Sequence, residues 1–341
     1  MGPICTTPIE GPKAWRGPQL AGNQAWIVTW GEAELAEIDR ALGVARASGR
    51  ALADVDREHF PLSTVASRLR QVLDEIYGGR GVVLLRGLPV DRYGDEDVGL
   101  ILWGLGRYLG APLHQNPQGD LLGHVYDHGR TYGNIDVRGY ETNAYLPYHT
   151  DAGDMVGLLC LRRALEGGLS SIVSSVTVHN EILAQHPEYL GLLYNGFYYI
   201  RREAALTSHG VSERPIPVFG YADGMVSCRY IRNQINAGAV KRGVPLTTLE
   251  AAALDHLDAQ TRRADLRLDM DLQPGDIQLI NNYTILHSRT GFVDGARPEQ
   301  KRHMLRLWLK FPRPWPLAPE FPAHMGYKPT QDTPILVEAE A

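Results

Sequence analysis

Apolar residues recur at helical spacing through the first third of the chain and at strand spacing afterwards. Leu35, Ile38, Leu42 and Ala45 follow Thr29 and Glu32, which read as a capping box, and Gly49 stops the run. Val65, Leu69, Val72 and Ile76 make a second stripe that begins near Ser63 and ends at Gly78-Gly79. A third carries Val98, Leu102, Leu105 and Leu109, opened by Asp95, Glu96 and Asp97, whose charge suits the positive end of a helix. Between the second and third, Val82-Val83-Leu84-Leu85 is a short apolar run bounded by glycines, which predicts a buried strand.

After Pro112 short β-rich runs take over, broken by Gly, Pro, Asn and Asp. They fall at 158–161, 171–173, 197–200, 217–219, 226–231, 266–268, 276–280 and 302–309. One clear helix interrupts them, from Thr247 to about Arg263, with Leu249, Ala253 and Leu257 along it. Many short strands with turn signals predict a mainly β fold, a sandwich or barrel decorated by added helices. Residues 1–24, rich in Gly and Pro, read as an irregular arm and 25–110 as a mostly helical elaboration. Residues 111–312 then form the β core, with a helical insert near 247–263. With no repeat, low-complexity tract or linker, the chain reads as a single domain.

Composition narrows the function classes. At 341 residues, 44% hydrophobic and 21% charged, the chain has ample apolar content for a core. Its 39 acids against 34 bases give a net charge of -5 with no long run of either sign, so a nucleic-acid footprint is not expected. Cys5, Cys160 and Cys228 are few, odd in number and far apart, which argues against a disulfide framework and for a reducing, cytoplasmic setting. No stretch approaches the roughly 18 apolar residues of a membrane span. The expected partner is a small molecule, neither membrane nor nucleic acid, and a homo-oligomer is left open.

Candidate chemistry starts from the pattern His-x-Asp/Glu, which occurs at His149/Asp151, His179/Glu181, His186/Glu188 and His256/Asp258. Residues i and i+2 share a face only in extended chain; on a helix they diverge by roughly 200°. His256 lies in the Thr247 helix, His179 leads into a helical segment, and His186-Pro187-Glu188 looks like a helix start. His149-Thr150-Asp151 instead follows Tyr145-Leu146-Pro147-Tyr148, where the pre-proline residue favours extended geometry. A surface His–Asp pair is the plain alternative for it. Further on, the Pro274-Gly275 turn and an apolar strand deliver His287, which would complete two histidines and one carboxylate, a set suited to Fe(II) with one face open. In Arg302 to Leu309, strand alternation puts Arg302, Met304, Arg306 and Trp308 on one face and Leu305, Leu307 and Leu309 on the other. If the first face is interior, two inward guanidinium groups call for a carboxylate-bearing ligand.

These elements, in this order, resemble the taurine dioxygenase and 2,4-dichlorophenoxyacetate dioxygenase family of Fe(II)/2-oxoglutarate enzymes. The resemblance runs from Gly81-Val82-Val83-Leu84-Leu85-Arg86-Gly87 through Tyr148-His149-Thr150-Asp151 and Glu166-Gly167-Gly168-Leu169-Ser170 to His287 and Lys301-Arg302-His303-Met304-Leu305-Arg306. It implies a double-stranded β-helix, or jelly roll, of the clavaminate synthase-like kind. It implies Fe(II) on His149, Asp151 and His287, with 2-oxoglutarate and O2 as cosubstrates. Arg302 matches the arginine that holds the distal carboxylate of 2-oxoglutarate, and Arg306 a second arginine that faces cosubstrate or substrate. Ser170 stands where the family often has threonine, although Leu169 replaces the usual acid before it. The implied reaction is oxidative decarboxylation of 2-oxoglutarate to succinate, coupled to C–H hydroxylation of a small molecule. By position, Gln115, Asn143, Tyr145, Tyr230, Arg232 and Asn282 are candidates for the substrate wall. A metal-dependent hydrolase on the same three ligands and a non-catalytic cupin-like binding protein are the rival readings.

Overall fold

The computed structural model describes residues 2–116, 118–131, 137–200 and 210–321. Its frame is a pair of sheets. The larger has seven strands, in the order Ile27–Thr29, Val82–Arg86, Ile277–Asn281, Met155–Arg162, His303–Lys310 and Ala111–Pro112, with Leu122–Val125 also pairing with His303–Lys310. The smaller runs Arg267–Met270, Ser170–Ser174, Ile285–Arg289, Leu146–His149. Neighbouring strands pair antiparallel apart from Ile27–Thr29, which runs parallel to Val82–Arg86. This is the jelly roll that the sequence led us to expect.

Alternation along the central strands builds two cores, one on each face of the large sheet. Val82, Leu84, Ile280, Met304 and Trp308 pack inward toward the small sheet, with Ile172, Leu286 and Met270. Val83, Leu85, Leu279, Leu305, Leu307 and Leu309 face outward, against the helices Glu32–Ser48, Thr64–Tyr77 and Asp95–Leu109. A strand buried on both faces has no polar face to show, which is why Val82–Leu85 reads as an unbroken apolar run.

Local departures have identifiable causes. The first long helix is capped at Gly31, whose N–H donates to Glu34 at 2.9 Å, while Thr29 ends a strand, so the expected Thr29/Glu32 capping box is displaced by two residues. The arm is more ordered than its glycines and prolines suggest. It holds a short helix, Gly17–Gly22, docked by a Gly17 N–H to Leu266 carbonyl bond of 3.0 Å. A Cβ at Gly17 would stand 1.7 Å from the Arg267 carbonyl oxygen, so only glycine permits that approach.

The insert is also larger than one helix. Ser175–Gln185, Glu188–Asn195 and Arg232–Arg242 join Thr248–Arg262, the helix that the sequence predicts, which opens on a capping box of Thr247 and Glu250. The expected strand at 226–231 stops at Cys228. Beyond it the Tyr230 backbone exchanges two bonds with Thr150 and leaves the hairpin. Among the described residues, the run at 197–200 makes isolated bridges, Phe197 to Ile216 and Ile200 to Val211.

Candidate active site

The site begins with a bulge. His149 and His287 oppose each other across antiparallel strands, and two residues further on Arg289 pairs with Leu146. Pro147 and Tyr148 thus share the place opposite Ser288, and Pro147, lacking an N–H, has no ladder bond to lose there. The extra residue turns His149 toward His287, with ring centroids 4.3 Å apart. Asp151 follows past the strand end, its Oδ2 3.6 Å from His287 Nε2. One ligand atom from each of His149, Asp151 and His287 lies within 4.8 Å of the others, the one such cluster among the described residues.

Each donor is held from behind. The Pro147 carbonyl takes His149 Nδ1 at 2.8 Å, which leaves Nε2 with its lone pair toward the cluster. Trp308 donates to Asp151 Oδ2 at 3.0 Å. Asn282 fixes the Asp151 backbone, accepting from its N–H at 2.9 Å and donating to the carbonyls of Asp151 and Gly153 at 2.7 and 2.6 Å. Burial pushes His149 down to about 4, helped by His287, so its imidazole is neutral. Burial alone would raise the Asp151 carboxyl, but Arg306 and His287 outweigh it and hold the group far below the usual carboxylate range. Two neutral-capable imidazoles and one ionised carboxylate around a common point fit a divalent first-row metal.

His149, Asp151 and His287 line one end of a partly open cavity. Arg302 and Arg306 both line it, as strand alternation predicts. Arg306 Nη1 is 3.6 Å from Asp151 Oδ1, and its Nε donates to Gln115 at 2.8 Å. Arg302 is 4% exposed, and its Nη1 has no hydrogen-bond partner among the described residues. Burial pushes its guanidinium down to about 10, still charged at neutral pH. A buried, charged donor that faces a cavity without a partner is a site for an anion. Ser170 also lines the cavity, where its hydroxyl donates to Gln278 at 2.7 Å.

None of the six residues expected at the substrate wall lines the cavity. Gln115 sits behind it, braced to Arg306 and to the Leu121 carbonyl. Asn282 serves the Asp151 loop. The Tyr230 hydroxyl donates to Asp258 at 2.6 Å, and Arg232 pairs with Asp255 and Asp258 of the helical insert. Asn143 and Tyr145 are exposed, and the Asn143 carbonyl takes the Phe292 N–H. The cavity instead holds Tyr140, Gln278 and Arg289, which the sequence reading passed over. Strand alternation signals two of them, since Arg289 is two residues past His287 and Gln278 two before Ile280. Nothing local marks Tyr140.

The other three His-x-Asp/Glu pairs have separate fates. His179 is buried against Tyr194, with Glu181 paired to Arg16 and Arg263. His186 meets Glu188 at the surface. His256 contacts Gln260, while Asp258 serves Tyr230 and Arg232.

Comparison with known proteins agrees with this geometry. Residues 48–308 match the taurine catabolism dioxygenase TauD, TfdA family. The chain is 32% identical over 313 residues to FR-33289 synthase of Streptomyces rubellomurinus (strain ATCC 31215), spanning 91% of this chain and 92% of that protein. It is 29% identical over 306 residues to the taurine hydroxylase-like protein SAT17 of Stachybotrys chartarum (strain CBS 109288 / IBT 7711), spanning 86% and 77% of the two. The fold matches asparagine oxygenase in complex with Fe(II), 2S,3S-3-hydroxyasparagine and succinate, with a TM-score of 0.64 at 17% identity over 83% of this chain and 93% of that one. It also matches the non-heme iron oxygenase OrfP in complex with Fe and alpha-ketoglutaric acid, with a TM-score of 0.61 at 18% identity over 83% and 94%. The chain therefore belongs to the taurine catabolism dioxygenase TauD, TfdA family, and is an Fe(II)- and 2-oxoglutarate-dependent dioxygenase that hydroxylates a small molecule.

Proposed function

We propose that His149, Asp151 and His287 hold the Fe(II), that Arg302 grips the distal carboxylate of 2-oxoglutarate, and that Arg306 governs the space beside Asp151. The observation that carries this reading is the buried Arg302 guanidinium, with an unpartnered Nη1, in the same cavity as the three donors. Family membership leaves the hydrolase and the non-catalytic binding protein without support.

Bound iron supplies the centre at which O2 converts 2-oxoglutarate to succinate and carbon dioxide while a substrate C–H becomes C–OH. The chain's own share is orientation and exclusion of water. Pro147 and Trp308 set the directions of the His149 and Asp151 donors, so the ligand set is formed before anything binds. Leu146, Val156, Leu158 and Ile280 give the cavity apolar walls that keep bulk water from the reacting carbon. Arg306, between the Tyr140 and Trp308 rings at 4.9 and 4.3 Å, keeps one cation fixed against Asp151.

The mixed lining of this pocket, apolar walls with a few convergent charged and polar groups, suits a small-molecule substrate. That agrees with a relative named for the synthesis of FR-33289 and with a fold neighbour bound to hydroxyasparagine. We read the chain as one catalytic unit, its two cores meeting on one sheet, and place it in the cytoplasm, where its three free, buried cysteines stay reduced. No helix among the described residues is long and apolar enough to cross a membrane.

Anaerobic titration of Fe(II) and 2-oxoglutarate into metal-free protein tests the assignment. A weak visible charge-transfer band is expected in the native protein, lost in Arg302→Ala at the same cosubstrate concentration. Its persistence in that variant refutes the Arg302 role, and its absence from native protein refutes the site.

A further inference from the structure

We infer that Tyr230 is a positioning residue for the metal centre, one that locks Thr150, the residue between two of the ligands, to the helical insert. The inference rests on the reading of His149 and Asp151 as iron ligands given above.

His149 and Asp151 line the cavity, while Thr150 between them does not and is buried. Side chains that alternate along an extended chain leave opposite faces, so a ligand pair at i and i+2 turns the middle residue away from the metal. Two bonds hold Thr150 on that other face. Its N–H donates to the Tyr230 carbonyl at 2.9 Å, and its hydroxyl oxygen accepts the Tyr230 N–H at 3.0 Å. A residue tied at both its backbone and its side chain is fixed against rotation about the chain axis. That rotation is what aims the ligands on either side of it.

Tyr230 is held in turn by the insert. It lies just beyond the strand Met225–Cys228 and is fully buried. Its hydroxyl donates to Asp258 Oδ1 at 2.6 Å, on the helix Thr248–Arg262. Arg232 fixes that carboxylate, with Nη1 3.1 Å from Asp258 Oδ2 and Nη2 donating to Asp255 at 2.8 Å. The helix is seated by buried Ala253, Leu254 and Leu257. A run of hydrogen bonds thus leads from a packed helix, through one rigid aromatic side chain, to the residue between two metal donors. Phenylalanine would fill the same space as Tyr230. The hydroxyl adds a directional bond, which sets where the ring and its own backbone sit.

The test is anaerobic titration of metal-free protein with Co(II), whose visible bands report donor geometry as well as occupancy. Tyr230→Phe keeps the ring and deletes the hydroxyl. It should weaken Co(II) binding about 10-fold or more and shift the bands, as loss of an outer support does. Asp258→Leu should match it, whereas Asp258→Asn, which retains an oxygen for the Tyr230 hydroxyl, should bind like native protein. Thr150→Val cannot accept the Tyr230 N–H and should weaken binding too. Adding Tyr230→Phe to Thr150→Val should then cost less than in the native background, and fully additive losses overturn the path through Thr150. Tyr230→Phe and Asp258→Leu proteins that lose stability to urea yet keep native Co(II) affinity and spectrum overturn the inference, since the bond then serves the fold alone. Asp151→Ala is the control. Native affinity there removes the underlying ligand reading, whereas weakened binding there beside native binding in Tyr230→Phe removes only this inference.

Discussion

Trp308 donates its indole N–H to Asp151 Oδ2 at 3.0 Å across 157 residues of sequence. The bond fixes one carboxylate oxygen and leaves the other within 3.6 Å of Arg306 Nη1. Metal sites lose affinity when such a support is removed even though the ligand itself remains. Trp308→Phe keeps the ring and deletes the donor, so Fe(II) affinity should fall about 10-fold or more. The unfolding free energy should fall by about 1.5–3 kcal/mol, the value of a hydrogen bond to a charged group. An Fe(II) titration indistinguishable from native protein refutes the support role.

Asn282 makes a heavier demand. Its side chain satisfies three backbone groups of the Asp151 loop, all buried. Asn282→Ala strands the Asp151 N–H and two carbonyls and leaves a small void, at a cost of about 2–4 kcal/mol in unfolding free energy. The Fe(II) content of purified protein should fall with it, because the loop that carries the ligand loses its template. Chemical denaturation and metal analysis check the two effects separately. Full metal content in a destabilised variant means that Asn282 serves the fold and not the ligand.

How much of this was legible follows from range. His149-x-Asp151 could be separated from its three look-alikes because Pro147 biases its own neighbourhood toward extended chain, a local effect. The inward face of Arg302 and Arg306 followed from alternation against Leu305, Leu307 and Leu309, also local. Tyr230 and Arg232 misled because their partners, Asp255 and Asp258, lie on a helix more than twenty residues away, and no periodicity reports that docking. Asn282 was singled out for the wrong task. A polar residue beside a metal-site strand reads equally as a cavity wall and as a clamp, and only its three backbone partners decide. Arg289 was within reach of the alternation argument applied to His287.

Gly123 links the cavity to a residue that never touches ligand. Its φ is not in the left-handed region, so alanine fits the backbone, but a Cβ there would meet Gln115 Oε1 at 2.4 Å. That oxygen accepts the Arg306 Nε–H at 2.8 Å. Gly123→Ala should therefore displace Gln115, loosen Arg306 and raise the substrate or cosubstrate KM several-fold while the metal content stays native. Gln115→Leu should reproduce the effect from the other side. A Gly123→Ala enzyme with native KM values and native succinate yield per turnover means that Gln115 can yield without moving Arg306.

His179 gives the pH prediction. It is fully buried, its Nε2 3.0 Å from the Tyr194 hydroxyl and its ring 5.2 Å from Phe219. Burial pushes its imidazole down to about 4. An unfolded chain returns it to about 6.5, so on acidification the unfolded state takes up the proton first. The folded state then loses stability as pH drops from about 6.5 toward 4, and regains it fully above 6.5. The depression corresponds to about 3 kcal/mol across that window. In His179→Gln, which retains an acceptor for Tyr194, that part of the pH dependence should vanish. Urea denaturation of both proteins between pH 7 and about 4.5 measures it: the native curve should fall more steeply, by about 2 kcal/mol. Parallel curves mean that His179 is protonated in the fold and that burial does not keep it neutral.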